Sequence, residues 1–397
     1  MASSFCRVAD LFVKAEGLDM MDLTTINKGS SGSKGAESHL GKIAIISARQ
    51  HVISGITTQL RMNGNYDFII IKSSFADEFE DKELSSSEYA IIDIESFRDV
   101  SEIERKIKFL IPITVKKIFI GDIDSISFHD EMKRIGVSYL HLDSQLMQLG
   151  LTLKNTETNT EEISHTQKIS IIGCKGGSGA SLVAWWLFQS IGKLSHLPIL
   201  LVQGHTGSAD LDLISDITIQ RDGVITPLNA HQALKIATEE EQWLFDDPNF
   251  KNYNMVIFDY NVTTQVRDKL AVIVPGSDFI FVVVTRELSS VRNARLILDE
   301  LQRNSPTGGH DAHNVSENII ILNDKTPAKS DELSNEDIEN YLARKIDIFS
   351  PFQKDVKKFD SKMQLYNFAA QMLGKNLIVN GAKQKKGFSL GGLFKKK

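Results

Sequence analysis

The chain has 397 residues, enough for two domains of ordinary size, and at 42% hydrophobic and 24% charged residues it has the make-up of a globular protein. Its net charge of −6 argues against a general nucleic-acid binder. Six lysines and no acid fall within residues 381–397, so the remainder stands at −12.

Taken in chain order, the first 40 residues include "NKGSSGSKGAESHLGK", which reads as a flexible lead-in. The extreme N-terminus lacks the apolar core of a signal peptide, and no run approaches the roughly 18 apolar residues a membrane span needs, so a cytoplasmic location is expected. Cys6 and Cys174 are far apart and form neither a disulfide framework nor a C-x-x-C site, which suits a reducing compartment. The ten histidines show no metal-ligand spacing.

From residue 41 to 150, short apolar runs ("KIAIIS", "YDFIII", "YAIIDI", "KKIFI", "SYLHL") alternate with stretches of helical periodicity such as "DVSEIERKIKFL". That alternation predicts a doubly wound parallel sheet. A polar run within 151–167, "KNTETNTEEISHTQ", reads as an interdomain linker. Residues 168–375 repeat the alternation through "KISII", "PILLVQ", "MVIFD", "FIFVVVT", "NIIIL" and "KIDIF". Near-continuous apolar runs are what a parallel sheet covered on both faces requires, so both domains are expected to be α/β. Trp185 and Trp186 read as core packing. Residues 376–397 form a basic tail.

The chemistry concentrates in "IIGCKGGSGASLVAWW", residues 171–186. A strand, a glycine loop and a helix in succession aim backbone N–H groups and a helix N-terminus at one spot, where a phosphate sits. In the common form of this loop, G-x-x-x-x-G-K-[ST], a lysine precedes the hydroxyl residue. Here Ala180 holds that place before Ser181, and the lysine, Lys175, comes five positions earlier.

On these residues the chain resembles the MinD/ParA family of ATPases, and within it the TadZ/CpaE group of pilus-assembly proteins. The family's loop reads K-G-G-x-G-K-[ST]; Lys175-Gly176-Gly177-Ser178-Gly179-Ala180-Ser181 keeps the early lysine and loses the late one, as TadZ/CpaE members often do. "NMVIFDY", "SDFIFVVVTRELSSVRNARLILDEL" and "IIILNDK" extend the resemblance over roughly 168–375. It implies ATP and Mg²⁺ as cofactors, with the metal on Ser181 and Asp259 and the phosphates on residues 176–181. It also implies Asn323 against the adenine and Lys175 reaching the nucleotide of a second subunit. Where the family shows V-D-x-D, this chain has Val202-Gln203-Gly204-His205. The surviving acids are Asp212, which lines up with the acid that positions the attacking water, and alternatively Asp210.

Residues 41–150 resemble a response-regulator receiver, again as in TadZ/CpaE proteins. Asp93 stands at the phosphoacceptor position, but the other three features are missing at Ser47-Ala48-Arg49, Ile120-Gly121-Asp122 and His141-Leu142-Asp143. Asp93 is therefore expected to cap a strand end, and the domain to serve as a docking surface.

The resemblance implies an ATP-dependent homodimer with slow or absent hydrolysis. Such a dimer would place and assemble the tight-adherence (Flp) pilus machinery at a bacterial inner membrane, peripherally and in a polar position. Losing one charge-assisted contact costs about 1.5–3 kcal/mol, which dispersed binding tolerates better than turnover does. The alternatives are a partner-stimulated positioning ATPase with a flagellar-number or partitioning role, and a nucleotide-independent scaffold. The tail reads as a solubilising extension, with weak membrane contact as its alternative.

Overall fold

Residues 41–77, 81–158, 166–205, 207, 209–241, 244–304, 316–327, 329, 331–355 and 360–375 are described by the structure, a computed structural model. The lead-in 1–40 and the basic tail 376–397 lie outside the described residues, as does 159–165 of the linker.

The first sheet comprises β1 (Ile43–Ile46), β2 (Phe68–Ile71), β3 (Tyr89–Glu95), β4 (Lys116–Gly121) and β5 (Ser138–His141). They pair in parallel in the order β2-β1-β3-β4-β5, the flavodoxin-like winding. Every residue of β1 is buried, because helices cover both faces of the sheet.

The second sheet contains β6 (Gln167–Gly173), β7 (Ile199–Gln203), β8 (Thr226–Pro227), β9 (Gln232–Ile236), β10 (Met255–Asn261), β11 (Phe279–Val284), β12 (Glu317–Asn323) and β13 (Ile348–Ser350). Their order is β13-β12-β11-β6-β10-β7-β9-β8, parallel except for the edge pair β8–β9. The chain is thus α/β with two mainly parallel sheets. The apolar pattern missed β8 and β9. The first is two residues long, and the second carries Lys235, a buried lysine that survives in a strand because Glu241 (2.7 Å) and Asp247 (3.3 Å) pair with it. Trp185 and Trp186 are buried in the core on one face of this sheet.

The segment read as a linker is in part ordered: a helix spans Leu149–Thr158, and β6 already begins at Gln167. The two sheets are also joined by direct contact. Asn254, fully buried just before β10, accepts from the Ile113 N–H (2.8 Å) and donates to the carbonyls of Ile111 (2.8 Å) and Lys108 (3.2 Å). Phe109 packs edge-on against Phe279, with ring centroids 6.3 Å apart. These contacts gather at the amino ends of β10 and β11. Asn254→Ala leaves three backbone groups without partners and is expected to lower unfolding stability by about 2–3 kcal/mol. A shift in the urea midpoint checks this, and an unchanged midpoint would show the contact to be idle.

Asp93 is more than a strand cap. It is 1% exposed, and its two oxygens accept four hydrogen bonds, from Arg49 Nη2 (2.6 Å), Arg49 Nε (2.9 Å), Ser47 Oγ (2.6 Å) and the Glu95 N–H (3.0 Å). Arg49 also reaches Asp122 at 2.6 Å. Its guanidinium is held charged chiefly by the hydrogen bonds to Asp93, against the cost of burial. A cation supplied by the chain itself follows the first strand, where a working receiver keeps its acids.

Candidate functional site

The order of the second sheet reverses at β6, whose neighbours are β10 and β11, and the crevice outside the carboxyl ends of the strands at such a point is where α/β sheets bind ligands. β6 runs into the glycine loop, and the loop into the helix Ala180–Leu194. Two loop positions need glycine. Gly177 (φ +71°) and Gly179 (φ +86°) are left-handed, and a Cβ on Gly179 would lie 2.4 Å from Asn323 Nδ2. The Asn293 amide donates to the Cys174 carbonyl (2.9 Å), and that of Asn323 to the Ser178 carbonyl (2.9 Å). The loop is therefore fixed at both ends.

Among the described residues, the N–H groups of Gly176, Gly177, Gly179, Ala180 and Ser181 find no acceptor. All five residues border a cavity of about 520 Å³, together with Lys175, Ser178, Gln203, Asp210 and Asp259. A concave row of unpaired N–H groups at a helix N-terminus is a cradle for a polyanion.

Asp259, on β10 beside β6, lines the same cavity. Burial pushes its carboxyl up to about 6; hydrogen bonds from Ser181 and Gln203 pull the other way, and nearby Asp210 adds to the rise. Gln203 Nε2 donates to Asp259 Oδ2 (3.1 Å) and to Asp210 Oδ1 (3.0 Å). Asp210 therefore borders the cavity. Asp212, the acid favoured from sequence, does not: it pairs with Arg221 at 3.6 Å and accepts from the Leu213 N–H. Successive residues entering the helix Leu211–Ser215 diverge by about 100°, so the two acids cannot share one direction.

Two oxyanions and the Ser181 hydroxyl are hard donors of the kind Mg²⁺ takes, and no group of three or more His, Cys, Asp or Glu forms a closed cage among the described residues. This fits a cation that draws its remaining ligands from phosphate and water.

Lys175 borders the cavity, but its ammonium is bonded to Glu287, which also accepts from Lys325 Nζ at 2.7 Å. The Lys175 bond, then the Lys325 bond, hold the Glu287 carboxyl down at about 2. Beside it, Arg286 pairs with Asp324 at 2.7 Å. Asn323 does not border the cavity; it is buried, with its amide engaged on the loop backbone. The fold thus assembles the loop, Ser181, Asp259 and Asp210 in one place, with Lys175 at the rim and Asn323 behind the loop. Gln203, Glu287, Asn293 and Lys325 are the additions. Gln203 carried a signal in the sequence as a departure from the acidic pair, whereas Glu287, Asn293 and Lys325 lie in segments that carry the resemblance but had no role assigned.

Neither protein-family models nor curated proteins give a match to this chain. Among solved structures it is similar to a ParA family ATPase from Chlorobium tepidum TLS (18% identity, 52% of this chain and 98% of that one, TM-score 0.41). It is likewise similar to the MinD cell division protein of Aquifex aeolicus (18%, 53% and 98%, 0.40). A third is a variant of Cyanothece McdA in its ATP complex (11%, 55% and 100%, 0.40).

Proposed function

We propose that the protein binds Mg²⁺-ATP at this loop as a homodimer, hydrolyses it slowly, and acts as a localisation and assembly factor of the TadZ/CpaE kind for the tight-adherence (Flp) pilus machinery. The observation that carries the reading is the loop itself: five N–H groups around a cavity with no acceptor among the described residues, no lysine at position 180, and the loop's Lys175 bonded to Glu287. The N–H groups hold phosphate oxygens, while Ser181 and Asp259 hold the cation, which neutralises phosphate charge when bound. In this reading Lys175, which borders the cavity and bonds to Glu287, exchanges that partner for the nucleotide of a second subunit.

Weak turnover follows from what is missing. Ala180 supplies no charge to the phosphoryl group in transit, and Gln203 and His205 stand where the family's paired acids stand. Placement in the cytoplasm, peripheral to the inner membrane, belongs to the same reading. Among the described residues no helix is long and apolar enough to cross a membrane.

Isothermal calorimetry is expected to show ATP binding with Mg²⁺ present, and Ala180→Lys is expected to tighten it about 10-fold by restoring one charge-assisted contact. Absence of binding heat in the wild type would overturn the nucleotide reading in favour of a scaffold.

A further inference from the structure

Among the described residues that line the cavity, Gln203 is the one whose side chain engages both acids. It is 3% exposed, and it lies at the carboxyl end of β7 directly across from Asp259 in the β7–β10 register. Its Oε1 accepts from the Leu211 N–H at 2.9 Å, so its Nε2 is the end that meets the carboxylates. The reversed amide would set an oxygen against two anions and a donor against a donor. From that fixed end it donates to both Asp210 and Asp259.

We propose that Gln203 is a positioning residue, a neutral clamp that holds Asp210 beside Asp259 so that both carboxylates face a divalent cation carried in with the nucleotide. The role rests on the cavity being a Mg²⁺-nucleotide site, and it goes beyond that reading in bringing Asp210 to the cation and giving Gln203 a task. Charge explains why an amide serves here. An acid at 203 would place three carboxylates together with no donor between them, beside a loop whose residue 180 brings no cation. The amide limits the site to two negative charges, matched to one divalent ion. It also supplies the two hydrogen bonds that keep those charges side by side before the ion arrives. Without the clamp, Asp210 is free to follow the helix Leu211–Ser215 away from the cavity, and the cation loses a carboxylate.

The test compares ATP affinity by calorimetry with Mn²⁺ present and with the metal chelated, in the wild type, in Gln203→Met and in the exchange Gln203→Glu/Asp210→Asn. Mn²⁺ bound in the complex is counted by electron paramagnetic resonance. Gln203→Met keeps the length and removes the donor. It is expected to weaken Mn²⁺-ATP about 10-fold while leaving metal-free ATP unchanged within about twofold. The exchange keeps two carboxylates and one amide, and is expected to recover most of the loss. If Gln203→Met fails to fold, Asp210→Asn takes its place: it removes the second carboxylate, is expected to show the same metal-dependent loss, and an unchanged affinity overturns the role. Equal weakening with and without metal, or no weakening at all, overturns the role of Gln203 while the site stands. A wild type that binds no nucleotide under either condition overturns the reading of the cavity, and the clamp with it.

Discussion

With Mg²⁺ and ATP the wild-type chain is expected to reach dimer mass by light scattering, and Lys175→Ala to remain a monomer under every nucleotide condition. The expectation comes from the position of Lys175 at the rim of the cavity, with its ammonium on Glu287. A second subunit laid over that rim would offer its phosphates to the same ammonium. Two such contacts form in a symmetric dimer, each worth about 1.5–3 kcal/mol as a charge-assisted hydrogen bond. Losing both weakens the dimer by roughly 10²- to 10⁴-fold. Moving Lys175 off Glu287 does not strand that carboxylate, since Lys325 at 2.7 Å stays with it. ADP, lacking the terminal phosphate, is expected to support less dimer than ATP. A mass indifferent to nucleotide in both proteins would eliminate the ATP-switched dimer and leave a constitutive scaffold.

Removing Arg49 is expected to damage the fold more than any change at the nucleotide loop. Arg49→Ala leaves Asp93, whose side chain has no solvent exposure, as an uncompensated buried anion. Breaking a buried pair from one side costs about 3–5 kcal/mol. Arg49→Ala/Asp93→Asn removes the charge as well as its partner and should lose much less, so the two variants separate an ion-pair effect from simple loss of packing. Urea unfolding of both is the check; a cost below about 1 kcal/mol for Arg49→Ala would show the pair to be ornamental. The same geometry predicts no labelling of Asp93 by acetyl phosphate, because both carboxylate oxygens already accept two hydrogen bonds each.

Much of the fold was legible in short windows of sequence. Strands buried on both faces must be apolar at every position, so runs such as Ile43–Ile46 and Phe279–Val284 declare themselves. The phosphate loop did so too, because its glycines answer to local backbone demands: left-handed φ at Gly177 and Gly179, and no room for a Cβ at Gly179. β9 escaped because its Lys235 is tolerated only through acids that arrive from elsewhere in the fold.

What only the tertiary structure decided was which side chains meet. Lys175 and Glu287 are 112 residues apart, Gln203 and Asp259 56, Ser178 and Asn323 145, and Ile113 and Asn254 141. Periodicity and propensity act over a few residues and assign a side chain to a face. They do not say which strand will lie next to which, or which of two neighbouring acids will turn toward the cavity. Strand order settles the first, bringing Gln203 across from Asp259. One amide then settles the second, taking Asp210 and leaving Asp212 to Arg221.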